Sequence, residues 1–146
     1  MAHTFISCIC HVVFATKERA PIISPALRDR LYPYFGALAR DHHIGLFAVG
    51  GIEDHVHLLV SIPSTMSVSQ TVKIFKGASS RWIHQEFDYM IDFAWQGGYG
   101  AFSVSRSLHT QVKSYIENQL DHHQKMTYEE EMRILLLKHE FSSQHG

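Results

Sequence analysis

The chain has 146 residues, 45% of them apolar and 18% charged, a size and composition that fit one folded domain of 1–146 rather than two. A formal net charge of −1 gives no global attraction for a polyanion, so any nucleic-acid partner must be met by local charge. The apolar runs, such as Ile134 to Leu137, are too short to cross a bilayer, and the N-terminal residues carry no charged lead-in of a signal peptide, so no membrane is expected and the cytoplasm is the default.

Thr4 to Ala15, rich in Phe, Ile, Val and Cys, reads as a first strand. Cys8 and Cys10 fall on one face of it and read as reduced packing residues. Ser24-Pro25 pairs a capping residue with an N1 proline and opens a helix toward Asp41, which Pro33 should kink or divide. His42 and His43 close that helix at its C-terminal end, where imidazolium is favoured. Ile44 to Val49 and His55 to Ile62 then read as a strand pair with a Gly50-Gly51 break between them.

Ser67 and Gln70 form a capping box for a helix reaching about Phe87. That stretch includes Lys73, Lys76 and Arg81, and no acidic residue occurs from His55 to Gln85. Such a run is ordinarily a solvated helix face, and becomes a phosphate-contact patch only beside a reaction centre. Ala101 to Ser105 is a short strand after a Gly-rich turn, and Ser107 precedes a helix through about Lys125. Thr127 with Glu130 caps a last helix ending near Phe141, where Glu129, Glu130 and Glu131 form an acidic cluster. Strand, helix, strand, strand, helix, strand, helix, helix predicts an α+β fold of the ferredoxin-like plan. Its antiparallel sheet has helices mainly on one face and the other face open to chemistry.

Two places carry chemistry. Strand alternation in Asp54-His55-Val56-His57 puts both imidazoles on one face, about 7 Å apart at Cα, within reach of one cation. Two half-exposed histidines on a sheet face would show the same pattern. Sixty residues on, Tyr115 and Gln119 stand four apart on a helix and so share a face. A tyrosine hydroxyl is a competent nucleophile when a cation offsets its high pKa, and Gln119 could give that cation a neutral oxygen. Packing and solvation are the plainer reading of both. Glu53 and Asp54 adjoin the histidines, as turn residues or as partners that orient them. Trp95 and Tyr99 could stack on unpaired bases or fill the core.

His-hydrophobe-His on a strand followed by Tyr115-Ile116-x-x-Gln119 on a late helix resembles the single-tyrosine HUH transposases of small bacterial insertion sequences. The likeness extends to Lys76-Gly77-x-Ser79-Ser80-Arg81, to Trp95-Gln96-x-Gly98-Tyr99 and to Gln119-x-x-His122-His123, in the same order. The resemblance implies cleavage and rejoining of single-stranded DNA through a 5′-phosphotyrosine intermediate. In that scheme Tyr115 is the catalytic nucleophile, and His55, His57 and Gln119 hold a divalent ion, Mg²⁺ or Mn²⁺. Lys73, Lys76 and Arg81 are the DNA-backbone candidates, with Lys17, Arg19 and Arg106 behind them, and His122 could reach the DNA or the site. It further implies hairpin-containing element ends as substrate, and homodimers in which one subunit's tyrosine helix completes the partner's site. The alternatives are a domesticated repeat-processing nuclease, a replication initiator or relaxase, and a non-catalytic nucleic-acid-binding module whose histidines are structural.

Overall fold

A computed structural model describes residues 3–122 and 126–139. Expectations resting on the His122 side chain, His123, Lys125 and Phe141 lie outside them. The elements are β1 (Ile9–Ala15), α1 (Pro25–Asp41), β2 (Gly45–Ile52), β3 (His55–Ser61), α2 (Val68–Glu86), β4 (Gly100–Ser103), α3 (His109–Glu117), α4 (Gln119–His122) and α5 (Tyr128–Lys138). The strands form one antiparallel sheet in the order β2-β3-β1-β4. That is the ferredoxin-like arrangement the element order predicts.

The helix starts are chemically specified. Ser24 accepts from Leu27 N–H, Thr127 accepts from Glu130 N–H, and Ser67 with Gln70 completes a reciprocal capping box. Pro33 lies inside α1 without dividing it, and His42 closes that helix as its C-cap. β1 begins later than its composition suggests, at Ile9 rather than Thr4, because only from there do β3 and β4 offer partners.

The two faces of the sheet differ in kind. Cys10, Val12 and Phe14 of β1 and Val56, Leu58 and Val60 of β3 pack beneath α1 and α2, with Leu31, Phe35, Phe75 and Ile83 filling the layer. Cys8 packs against this core and Cys10 is part of it, so the paired cysteines are packing residues. The opposite face holds His11, Val13, His55, His57 and Leu59, all buried. Helices mainly cover the other face, as expected, but this one also takes helix contacts. Ile116 of α3 packs on Leu59 and Ala48, and Leu135 of α5 packs on Val13 and Phe102.

Gly50 and Gly51 are a second departure. They do not end a strand but lie inside β2, paired with His57 and Val56. Their lack of a side chain serves close approach instead. A Cβ on Gly50 would stand 1.8 Å from the Ile116 carbonyl oxygen, so α3 can rest on β2 only where no side chain intervenes.

Gly50→Ala should therefore push α3 off the sheet and lower stability by about 3 kcal/mol, read from the urea midpoint. An unchanged midpoint would mean that α3 does not rest on this glycine in solution.

Candidate active site

The short turn at Glu53-Asp54 joins β2 to β3, and His55 and His57 follow it on the face away from α1 and α2. Both imidazoles are wholly buried, not half-exposed. His55 Nε2 and His57 Nε2 each lie 3.1 Å from Oε1 of Glu131, which descends from α5. The other carboxylate oxygen accepts from Gln119 Nε2 at 2.8 Å and from the Tyr115 hydroxyl. One carboxylate thus touches the two histidines, the tyrosine and the glutamine that the sequence singles out.

The backbone explains the convergence. α3 ends at Glu117, capped by Asn118, whose N–H returns to the Ser114 carbonyl, and α4 starts at once with Gln119. The break leaves Tyr115 and Gln119 on the same side, both toward Glu131. α5 lies across the sheet with Leu135 and Glu131 buried one turn apart.

Each histidine has its own partner at the second ring nitrogen. His55 Nδ1 is 2.7 Å from Asp54 Oδ1, so Asp54 both shapes the turn and orients the ring. His57 Nδ1 is 2.7 Å from Nε2 of His11, a buried β1 residue. Burial pulls the His55 pKa down, but hydrogen bonds to Asp54 and Glu131 outweigh it and hold the value above the ordinary one. Burial wins at His57 and depresses it, since one carboxylate cannot charge both rings. Burial, reinforced by His57, takes His11 down to about 3. Glu131 is opposed by burial, yet its two histidine hydrogen bonds hold it at about 2, so it is ionised.

The donor set suits a divalent cation. Among the described residues His55, His57 and Glu131 are the group with ligand geometry, their ligating atoms all within 4.8 Å of one another. Gln119 Oε1 adds a neutral oxygen that is buried without a hydrogen-bond partner among the described residues, as a vacant ligand atom would be.

The basic candidates lie elsewhere. Lys73 and Arg81 are exposed on α2, across the sheet from the histidines, and flank a groove of about 530 Å³ with His42 and Gln70. Lys76 donates to the carbonyls of Gln96 and Gly98, at 2.7 and 2.8 Å, and so anchors the Gly-rich turn. Trp95 donates to Ser79 Oγ and stacks edge-on against Phe14 and Phe93, which makes it a packing residue. Tyr99 is exposed, and Arg19 pairs with Glu129.

Sequence reasoning missed two residues here. Glu131 was hidden in an acidic cluster, although it shares a helical face with Tyr128, Met132 and Leu135. His11 was hidden in a hydrophobic strand, where a lone histidine between His-free apolar neighbours was the available signal.

A ferredoxin-like antiparallel sheet bearing a His-Val-His strand, with a tyrosine helix laid over it, defines the HUH class of fold. The family profile described as "Transposase IS200 like" matches residues 4–119, and the chain belongs to that family. It is similar to the transposase for insertion sequence element IS200 of Salmonella typhimurium, 29% identical over 126 residues, which span 83% of this chain and 82% of the relative. The ISDra2 transposase TnpA of Deinococcus radiodurans is 27% identical over 116 residues, 76% of this chain and 83% of that protein. A crystal structure of a Deinococcus radiodurans protein assigned as a transposase superposes with a TM-score of 0.66 at 26% identity, covering 82% of this chain and 96% of that one. A REP-associated tyrosine transposase solved with a REP hairpin shares the fold, with a TM-score of 0.58 at 13% identity, over 80% and 68% of the two chains. Glu131 lies beyond the stretch that the family profile matches.

Replacing Glu131 by Ala strips an acceptor from four buried or half-buried groups. In chelator-treated protein this should cost about 3 kcal/mol by urea denaturation, whereas Glu130→Ala on the exposed side should cost well under 1. Equal costs would place Glu131 in solvent.

Proposed function

We propose that this transposase is a single-strand DNA endonuclease and strand transferase that uses Tyr115 as nucleophile and a divalent ion, Mg²⁺ or Mn²⁺, at His55, His57, Gln119 and Glu131. One observation carries the reading: the Tyr115 hydroxyl and both histidine Nε2 atoms meet on a single buried carboxylate. A module that merely bound strands on its sheet would have no use for such a centre. Burying two imidazoles, a carboxylate and an amide costs more than apolar packing of the same volume.

The chemistry follows from the positions. When bound, the ion would polarise the non-bridging oxygens of the scissile phosphate and offset the charge that gathers there. Tyr115 Oη forms the new bond to phosphorus while the bond to the 3′-oxygen breaks in line with it. The phenol proton already points at Glu131 Oε2, which is its acceptor as the bond forms. The 3′-oxygen leaves and takes a proton from solvent, giving a free 3′-hydroxyl and a 5′-phosphotyrosine ester. Because the ester keeps the bond energy, a 3′-hydroxyl can attack it and rejoin strands without a nucleotide cofactor.

Lys73 and Arg81 serve this reading as backbone contacts outside the reaction centre. Phosphate neutralisation needs charge within reach of the strand, not at the scissile bond. A hairpin arm running over the α2 groove fits that placement. Tyr115, His55, His57 and Gln119 all reach the Glu131 carboxylate of their own chain, so the five-residue site is proposed to work within a single subunit, whether or not the protein forms homodimers.

Tyr115→Phe should abolish the covalent adduct with a single-stranded oligonucleotide, read by mass spectrometry, while strand binding persists. His57→Ala should lose cleavage and Mn²⁺ affinity together, and His42→Ala should lose neither. An adduct surviving in Tyr115→Phe would move the nucleophile, with Tyr128 the next candidate because its ring lies 4.8 Å from His55.

A further inference from the structure

His11 takes no part in the chemistry above, yet it is 3% exposed and its Nε2 lies 2.7 Å from His57 Nδ1. A buried histidine next to a reacting centre needs a reason, because Leu or Val would fill the same strand position at less cost. Its place is fixed from several directions. β1 pairs with β3 so that Val13 stands opposite His57, which brings His11 diagonally alongside on the same face. Its ring centroid is 4.9 Å from that of His57, and 6.3 and 6.1 Å from those of Phe102 and Tyr115 in edge-to-face arrangements.

We propose that His11 is the positioning residue of His57, holding its ring and supplying Nδ1 with a partner so that Nε2 is presented to the ion. The inference rests on the metal reading of this site. An imidazole that offers Nε2 to a cation must carry its proton on Nδ1, and that buried N–H requires an acceptor. His11 Nε2 is in place to accept it. His55 solves the same problem with Asp54, a carboxylate that can only accept.

The difference between the two partners has a consequence. Without an ion, the His57 Nε2 edge faces Glu131 Oε1 at 3.1 Å, an arrangement suited to Nε2–H as donor. His57 Nδ1 then has to accept, and a neutral imidazole can turn donor where a carboxylate cannot. His11 therefore satisfies His57 in both tautomers, so His57 can exchange Glu131 for an ion without stranding a buried nitrogen. A second carboxylate at this place would also have added negative charge beside Glu131.

Calorimetric titration of the whole, metal-stripped chain with Mn²⁺ alone tests this, with urea midpoints in chelator as the control for folding. His11→Phe keeps a ring and His11→Leu keeps apolar volume, and both lose the nitrogen. Each folded variant should bind Mn²⁺ about ten-fold more weakly or worse, the usual loss on removing a partner that orients a ligand. His11→Gln, which can accept or donate, should stay within roughly three-fold of the parent chain. A merely structural role would make affinity follow stability and would not single out Gln for rescue. Parent-like affinity in the folded Phe or Leu variant overturns the proposal, as does a Gln variant as weak as Phe. If neither apolar variant folds, His11→Gln decides alone, and a ten-fold loss there overturns it. No Mn²⁺ binding by the parent chain would overturn both this inference and the metal reading, whereas parent binding indifferent to His11 overturns this inference only.

Discussion

Everything on the second face of the sheet is organised around one carboxylate. Glu131 is 1% exposed, ionised and shared among His55, His57, Tyr115 and Gln119. A buried negative charge is tolerable only where donors surround it, and here they come from β3, α3 and α4 at once. The carboxylate has all its partners only with the tyrosine helix on β2 and α5 across the sheet. Gly50 permits the first contact and Leu135 anchors the second.

The sheet separates two economies. Under α1 and α2, burial of Leu, Phe, Ile and Val supplies the stability that a domain of this size needs. On the other side the same strands bury polar groups whose hydrogen bonds barely offset their desolvation. Alternation along β3 delivers both: Val56 and Leu58 to the first, His55 and His57 to the second. A strand has only two faces, so the stable face allows the costly one to exist.

The capped helices, the strand order and the histidine face were legible because each depends on local chemistry or on a period of two. Four of the five proposed site residues, His55, His57, Tyr115 and Gln119, could be singled out because each pair is close in sequence, and the resemblance to HUH transposases gave them their proposed roles. Glu131 was not, since its partners lie 12 to 76 residues away and only its place on the apolar face of α5 sets it apart from Glu129 and Glu130. His11 was lost in an apolar strand, its partner 46 residues distant. Gly50-Gly51 read as a break because a missing side chain signals a turn as readily as a close approach, and only α3 decides between them. Lys76 shows the converse, since charge alone does not reveal that two carbonyls of the Gly-rich turn already hold it.

The central claim is that one chain supplies the whole site, with Glu131 joining the tyrosine to its own histidines. Mixing His57→Ala and Tyr115→Phe subunits, after denaturing and refolding them together so that any dimer is mixed, addresses it directly. If the site is complete within each subunit, no subunit in the mixture has both an intact histidine pair and a nucleophile, and cleavage of a single-stranded oligonucleotide stays at the level of the separate mutants. Cleavage restored in a verified mixed dimer would contradict the account, because Tyr115 would then be serving the histidines of another chain.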